Sequence, residues 1–303
     1  MLLTKHSSFL FILLLSLAPY GVSQQNPGTE PSAPTTTSPD TSAEAQSSQE
    51  NAPEPSSPPS ATTKTAPPIL LANPELRDQQ EWLTVGNKKI PALYLSQVKG
   101  GTHGGVLLIP NLNMPPSQRG IINSLRNALP ESHWHTLALD LSTVEPLTEQ
   151  EISQSVAAGL KFLNDDGIYN IAIIAEGVGA ARAIHFLADL SAGENALLQS
   201  IRALIIIDAN NNVPNSTVKT LEKFSTIAVP ILDAYSANNQ SQQRLASLRK
   251  RAMYKNKGQS GYRQITLPRQ VNYYNQHENH ITKRIRGWMD KNISGFTVEK
   301  RRL

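Results

Sequence analysis

The sequence predicts an α/β domain: a mostly parallel sheet with helices on both faces, preceded by an export signal and a linker. Three observations predict it. Short, near-continuous apolar runs such as Val106-Leu107-Leu108-Ile109 read as strands buried on both faces. Helical patterns alternate with those runs, as strand–helix–strand units require. Residues 24–68 hold no aromatic and no aliphatic larger than Ala, so folding begins only after them.

The strands come first. Glu81 to Val85 and Lys89 to Ser96 read as an antiparallel pair joined through Gly86-Asn87. A glycine-rich turn, Lys99 to Gly105, leads into Val106–Ile109, which Pro110 bounds. Further strands are expected at His135 to Leu141, Tyr169 to Ala175, Ile201 to Asp208 and Val229 to Tyr235. Gly261 to Leu267 reads as the last. Helices are expected at Gly120 to Leu129, Thr148 to Leu163, Val178 to Leu190 and Asn275 to Met289. The second opens with Thr148-Glu149-Gln150-Glu151, a capping-box signature, and runs its apolar face through Ile152, Val156, Leu160 and Leu163. No segment is long enough for a lid domain.

At the N-terminus Lys5 and His6 precede an apolar run from Phe9 to Ala18, then Pro19, Tyr20 and the small residues Gly21 and Ser23. These are the marks of a signal peptide over 1–23, and they predict a periplasmic protein. The run is about half the roughly 20 residues that a membrane-spanning helix needs. Residues 24–68 carry Glu30, Asp40, Glu44, Glu50 and Glu54 against Lys64 alone. With no apolar surface to bury they cannot offset the entropy of ordering, and they read as a disordered linker to a domain over 69–303.

The 303 residues hold no cysteine, which excludes disulfides, a thiol nucleophile and a lipoprotein anchor. Of the net +4, residues 1–23 contribute +1 and 24–68 contribute −4, which leaves +7 on the remainder. The bases cluster late, as Arg249-Lys250-Arg251, Lys283-Arg284-Arg286 and Lys300-Arg301-Arg302. Such a region would suit an anionic polymer or lipid surface. Without interleaved aromatics, and with export expected, nucleic acid is not a partner.

Chemistry in such sheets gathers where strands end. Ile171-Ala172-Ile173-Ile174-Ala175-Glu176-Gly177-Val178-Gly179 runs a buried strand straight into a helix through small residues. This is the setting of the nucleophile elbow, G-x-S-x-G, of the α/β-hydrolases. Here Ala175 stands for the first glycine, Gly177 for the serine and Gly179 for the last glycine. Gly177 has nothing to attack with, so the acyl-enzyme route is closed. Asn239 stands at the usual place of the acid, although Asp208 would be an alternative. The histidine is due near Asn272, whereas His277 and His280 fall later.

Other signals are weaker. Gly177-Val178-Gly179 supplies two glycines of a dinucleotide fingerprint, but Arg182 holds the third place. His277 and His280 lack a third metal ligand, and His133 and His135 read as a surface pair. Asp140, Glu176, Asp208 and Asp233 all fall near strand ends, where acids brace loops and cap helices or converge on a ligand.

The stretches VLLIPNLNMPP, HWHTLALDLS, IAIIAEGVGAARAIHFLADL, VPILDAY, YRQITLP and ITKRIRGWM together resemble the bacterial family known as domain of unknown function 3530. That resemblance covers about Pro68 to Gly295 and implies an α/β-hydrolase fold and export, with no established reaction. The expectation is therefore a non-catalytic envelope protein that binds a small molecule, an envelope component or a partner protein through Asn111, Glu176, Gly177, Val178 and Asp208. No catalytic residue, metal ligand or cofactor is expected. The alternative is a hydrolase in which Glu176 or Asp208 activates water.

Overall fold

The computed structural model describes residues 74–98, 100–142, 145–193, 195–255, 261–268 and 279–293. The expected signal peptide, the linker, Asn272, His277 and the bases Lys300, Arg301 and Arg302 lie outside the described residues.

The chain runs β1 (Gln80–Val85), β2 (Lys88–Leu95), β3 (Gly104–Ile109), α1 (Ile121–Ala128), β4 (Trp134–Leu139), α2 (Glu149–Asp165), β5 (Ile171–Glu176) and α3 (Gly177–Ser191). It continues through β6 (Ile201–Ile207), α4 (Thr220–Phe224), β7 (Ile231–Ser236), α5 (Gln240–Lys255), β8 (Tyr262–Leu267) and α6 (His280–Asn292). The strands form one eight-stranded sheet in the order β1-β2-β4-β3-β5-β6-β7-β8. The β1–β2 hairpin turns through Gly86 at φ 55° and joins antiparallel to β4, and every later pairing is parallel.

Full burial on both faces explains the continuous apolar runs. Successive side chains of a strand point to opposite faces. Leu107 and Ile109 of β3 pack in a core with Leu160 of α2 and Ile184 of α3. Val106 and Leu108 pack in the other core, with Leu125 of α1 and Ile285 and Trp288 of α6. Each such side chain contributes roughly 1.5–3 kcal/mol on leaving water.

The capping box forms as the sequence predicts. The Glu151 N–H donates to Thr148 Oγ1 at 3.2 Å, and the Thr148 N–H to Glu151 Oε2 at 2.8 Å. Within the described residues the last helix begins at His280, where Asn279 Oδ1 caps it by accepting the N–H groups of Ile281 and Thr282 at 2.9 and 3.0 Å, and the expected start at Asn275 lies outside them. One helix escapes the apolar periodicity: the buried positions of α5 are Gln242, Ala246, Arg249 and Met253 rather than an apolar stripe. His133 and His135, expected as a satisfied surface pair, are both half-buried around the fully buried Trp134, and His135 Nδ1 meets the Tyr94 hydroxyl at 2.8 Å.

Sheet order locates the site. From β3 the chain steps to β4 on one side, then returns to place β5 on the other. A reversal of this kind opens a crevice between the carboxyl ends of the two central strands. The residues just past those ends are Asn111, after β3, and Gly177, after β5.

Candidate functional site

Gly177 holds the conformation of a nucleophile elbow. Its φ is +56°, in the left-handed region that glycine enters without penalty. Two residues on, a Cβ on Gly179 would meet the carbonyl oxygens of Pro110 and Ile109 at 2.2 and 2.9 Å, so the helix can begin against the β3 loop only with glycine there. The turn from β5 into α3 thus has glycines where its close approaches require them, and position 177 carries no side chain.

Asn111 takes up the space. A Cβ built on Gly177 would lie 2.2 Å from Asn111 Oδ1, 2.5 Å from Cγ and 2.9 Å from Nδ2. The same Oδ1 accepts the Val178 N–H at 3.0 Å and the Leu112 N–H at 2.8 Å. In an elbow hydrolase, the N–H after the nucleophile and one from the loop after this strand form the oxyanion hole. Here one amide oxygen satisfies both donors and stands where the oxyanion of a tetrahedral intermediate would form. Sequence reasoning placed Asn111 and Val178 in the site but missed Leu112, whose contribution is a backbone N–H.

The acids around the crevice divide into two kinds. Asp208, at φ 46°, accepts the Ser236 N–H at 2.7 Å and the Ser236 hydroxyl, tying the end of β6 to the end of β7. Asp140 binds the N–H and hydroxyl of Ser142 in the same manner. These two brace loops. Asp233 is not at a strand end: it lies fully buried inside β7, bound by Arg249, Tyr262 and Gln264.

Glu176 differs from all of them. It precedes α3 without capping it, and no hydrogen bond or ion pair holds its carboxylate among the described residues. Burial pushes this carboxyl up to about 7, and the nearby negative charge of Asp208 adds to the rise. Near neutrality it is a half-buried acid able either to donate or to accept a hydrogen bond.

The expected place of the acid is held by a structural residue, and that of the histidine, near Asn272, lies outside the described residues. Asn239 Oδ1 accepts the Gln242 N–H at 3.2 Å in the first turn of α5. His280 is the first residue of α6, and His185 lies 3.4 Å from Thr220 Oγ1. Among the described residues, no three His, Asp or Glu side chains gather as a metal would need. A cavity of about 360 Å³ opens on the flank between α2, α3 and residues 213–217, beside Ile152, Phe186, Arg182 and His185. None of the five sequence-predicted site residues lines it.

A family model described as a protein of unknown function (DUF3530) matches residues 8–148 and 142–291. The chain belongs to the DUF3530 family. No curated protein matches it in sequence. Solved structures place this DUF3530 protein among the α/β-hydrolase folds. Est1E from Butyrivibrio proteoclasticus superposes with a TM-score of 0.54 at 12% identity, covering 71% of this chain and 99% of that one. The dienelactone hydrolase from Anabaena variabilis gives 0.53 at 14%, over 71% and 99%. An esterase from Pyrococcus furiosus gives 0.55 at 11%, over 71% and 91%. At these identities the likeness is one of fold.

Proposed function

We propose that this DUF3530 protein is an exported, non-catalytic member of the α/β-hydrolase fold that binds an envelope ligand or partner at the crevice between β3 and β5. The observation that carries the reading is the Asn111 amide. It occupies the volume of the absent nucleophile and occupies both oxyanion donors, so a substrate carbonyl has neither an attacking atom nor a place for its developing charge. Glu176 is the group left to meet a ligand, with Asn111, Gly177 and Val178 forming the floor and Asp208 holding the neighbouring loop. The signal-peptide pattern over 1–23 supports a periplasmic location.

The test is hydrolysis of p-nitrophenyl acetate and butyrate by the purified chain, together with labelling by a fluorophosphonate. The expected result is turnover no faster than buffer and no label. Turnover that disappears in Glu176→Ala or Asp208→Ala would overturn the reading in favour of water activated by those carboxylates.

A further inference from the structure

Helix α5 turns one face to the sheet and a row of bases away from it. At about 100° per residue, the buried Gln242, Ala246, Arg249 and Met253 fall together on one side. Arg244, Arg251 and Lys255, spaced seven and four apart, fall opposite them, with Lys250 and Tyr254 on the adjoining row. All five are exposed. The helix contains no acid.

The charge is not compensated from within. Arg249 is neutralised by Asp233, but Arg244, Lys250, Arg251 and Lys255 have no ion-pair partner among the described residues. Helix α4, packed on α5, adds the acid Glu222 and the base Lys223, the latter already paired with Asp189. Like charges four apart on a helix repel, as Arg251 and Lys255 must. An anion laid along the row would remove that repulsion.

We propose that the solvent face of α5 docks on an anionic phospholipid surface. The row from Arg244 to Lys255 extends about 16 Å, a straight line of positive charge suited to a flat array of phosphates. Tyr254 is 70% exposed, and the Lys250 ammonium sits 5.9 Å from its ring centroid. A ring with an apolar body and a polar tip, set among bases, suits the boundary of a bilayer rather than a soluble polymer. No large aliphatic side chain is exposed on this face, so the contact is electrostatic and peripheral rather than inserted. The proposal is independent of how the elbow is read.

The test is sedimentation of the full chain with phosphatidylcholine vesicles and with vesicles that also contain phosphatidylglycerol. The readout is the excess binding to the anionic vesicles, which discounts any contribution of the apolar N-terminal run. The excess is expected to vanish at roughly 1 M salt, where charges are screened within about 3 Å. The combined Arg244→Gln, Lys250→Gln, Arg251→Gln and Lys255→Gln variant should bind the anionic vesicles at least about 100-fold more weakly, at about fivefold per base. Tyr254→Ser should weaken it further, whereas Lys283→Gln with Lys291→Gln on α6 should leave it unchanged. Equal binding to both vesicle types, an excess that survives in the fourfold variant, or an equal loss in the α6 control would overturn the proposal. So would tight binding of soluble dextran sulfate without any vesicle excess.

Discussion

A Cβ on Gly177 would meet the side chain of Asn111 where it now stands: the ideal position of that atom lies 2.2 Å from Asn111 Oδ1 and 2.5 Å from its Cγ. The two residues divide one volume, which in a working elbow belongs to the nucleophile. Gly177→Ser should therefore not create an esterase, because the new hydroxyl meets the amide before it meets a substrate. A non-glycine residue at φ +56° costs about 1–3 kcal/mol, and overpacking adds about 1–3 more. In an Asn111→Gly background the second cost should disappear. Urea unfolding of the two single variants and the double variant should thus give a coupling of about 1 kcal/mol or more. Strict additivity would show that Asn111 moves aside freely.

The raised Glu176 carboxyl gives a stability dependence of defined sign. Its folded pKa of about 7 lies above the ordinary 4.5, so the folded state favours the protonated form. The stability it contributes is whole below the unfolded value and is lost as pH rises through the folded one. Relative to Glu176→Gln, the native protein should lose on the order of 2–3 kcal/mol between about pH 4.5 and 7. Burial is the larger cause and Asp208 the lesser. Asp208→Asn should therefore lower the Glu176 midpoint yet leave it above the usual carboxylate range, as carbon-detected NMR titration would read. A native protein that gains stability over this interval would refute the assignment.

The start of α2 offers a more local test. Thr148 Oγ1 accepts the Glu151 N–H, and Glu151 in turn reaches the Thr148 N–H and Lys88 Nζ on β2, at 2.8 Å each. Thr148→Ala should cost about 1 kcal/mol, and Thr148→Ser, which keeps the hydroxyl, a few tenths at most. An equal loss in both variants would mean that the methyl group, not the cap, matters.

The sequence made most strands legible because burial on both faces leaves an unbroken apolar run, as in Val106–Ile109. Thr148-Glu149-Gln150-Glu151 marked a helix start because the cap is made entirely of neighbouring residues. The elbow was legible for the same reason: strand, small-residue turn and helix are contiguous from Ile171 to Gly179. What Asn111 does there was not, since it acts on Val178, 67 residues away, through a β3–β5 register fixed only by the folded sheet. Helix α5 stayed hidden because Gln242 and Arg249 occupy its buried face. The sequence showed Arg249 as one member of a basic run, when its charge is met by Asp233 from β7.

That Asp233–Arg249 ion pair is buried on both sides. Arg249 Nε and Nη2 donate to the two carboxylate oxygens at 2.9 and 2.8 Å, and its Nη1 donates to the Ala209 carbonyl at 3.1 Å. The Tyr262 hydroxyl and Gln264 Nε2 complete the shell around Asp233 at 2.7 and 2.9 Å. Asp233→Ala leaves a buried guanidinium without its counter-charge, and Arg249→Met leaves the carboxylate without its own. Each should cost about 3–5 kcal/mol. Replacing both at once, Asp233→Leu with Arg249→Met, removes two charges that had to be desolvated, so its cost should be well below the sum of the single losses. Urea midpoints of the three variants decide the matter. Single-variant losses under about 1 kcal/mol, the range of an exposed pair, would show that water reaches the pair and that α5 is held by something other than this contact.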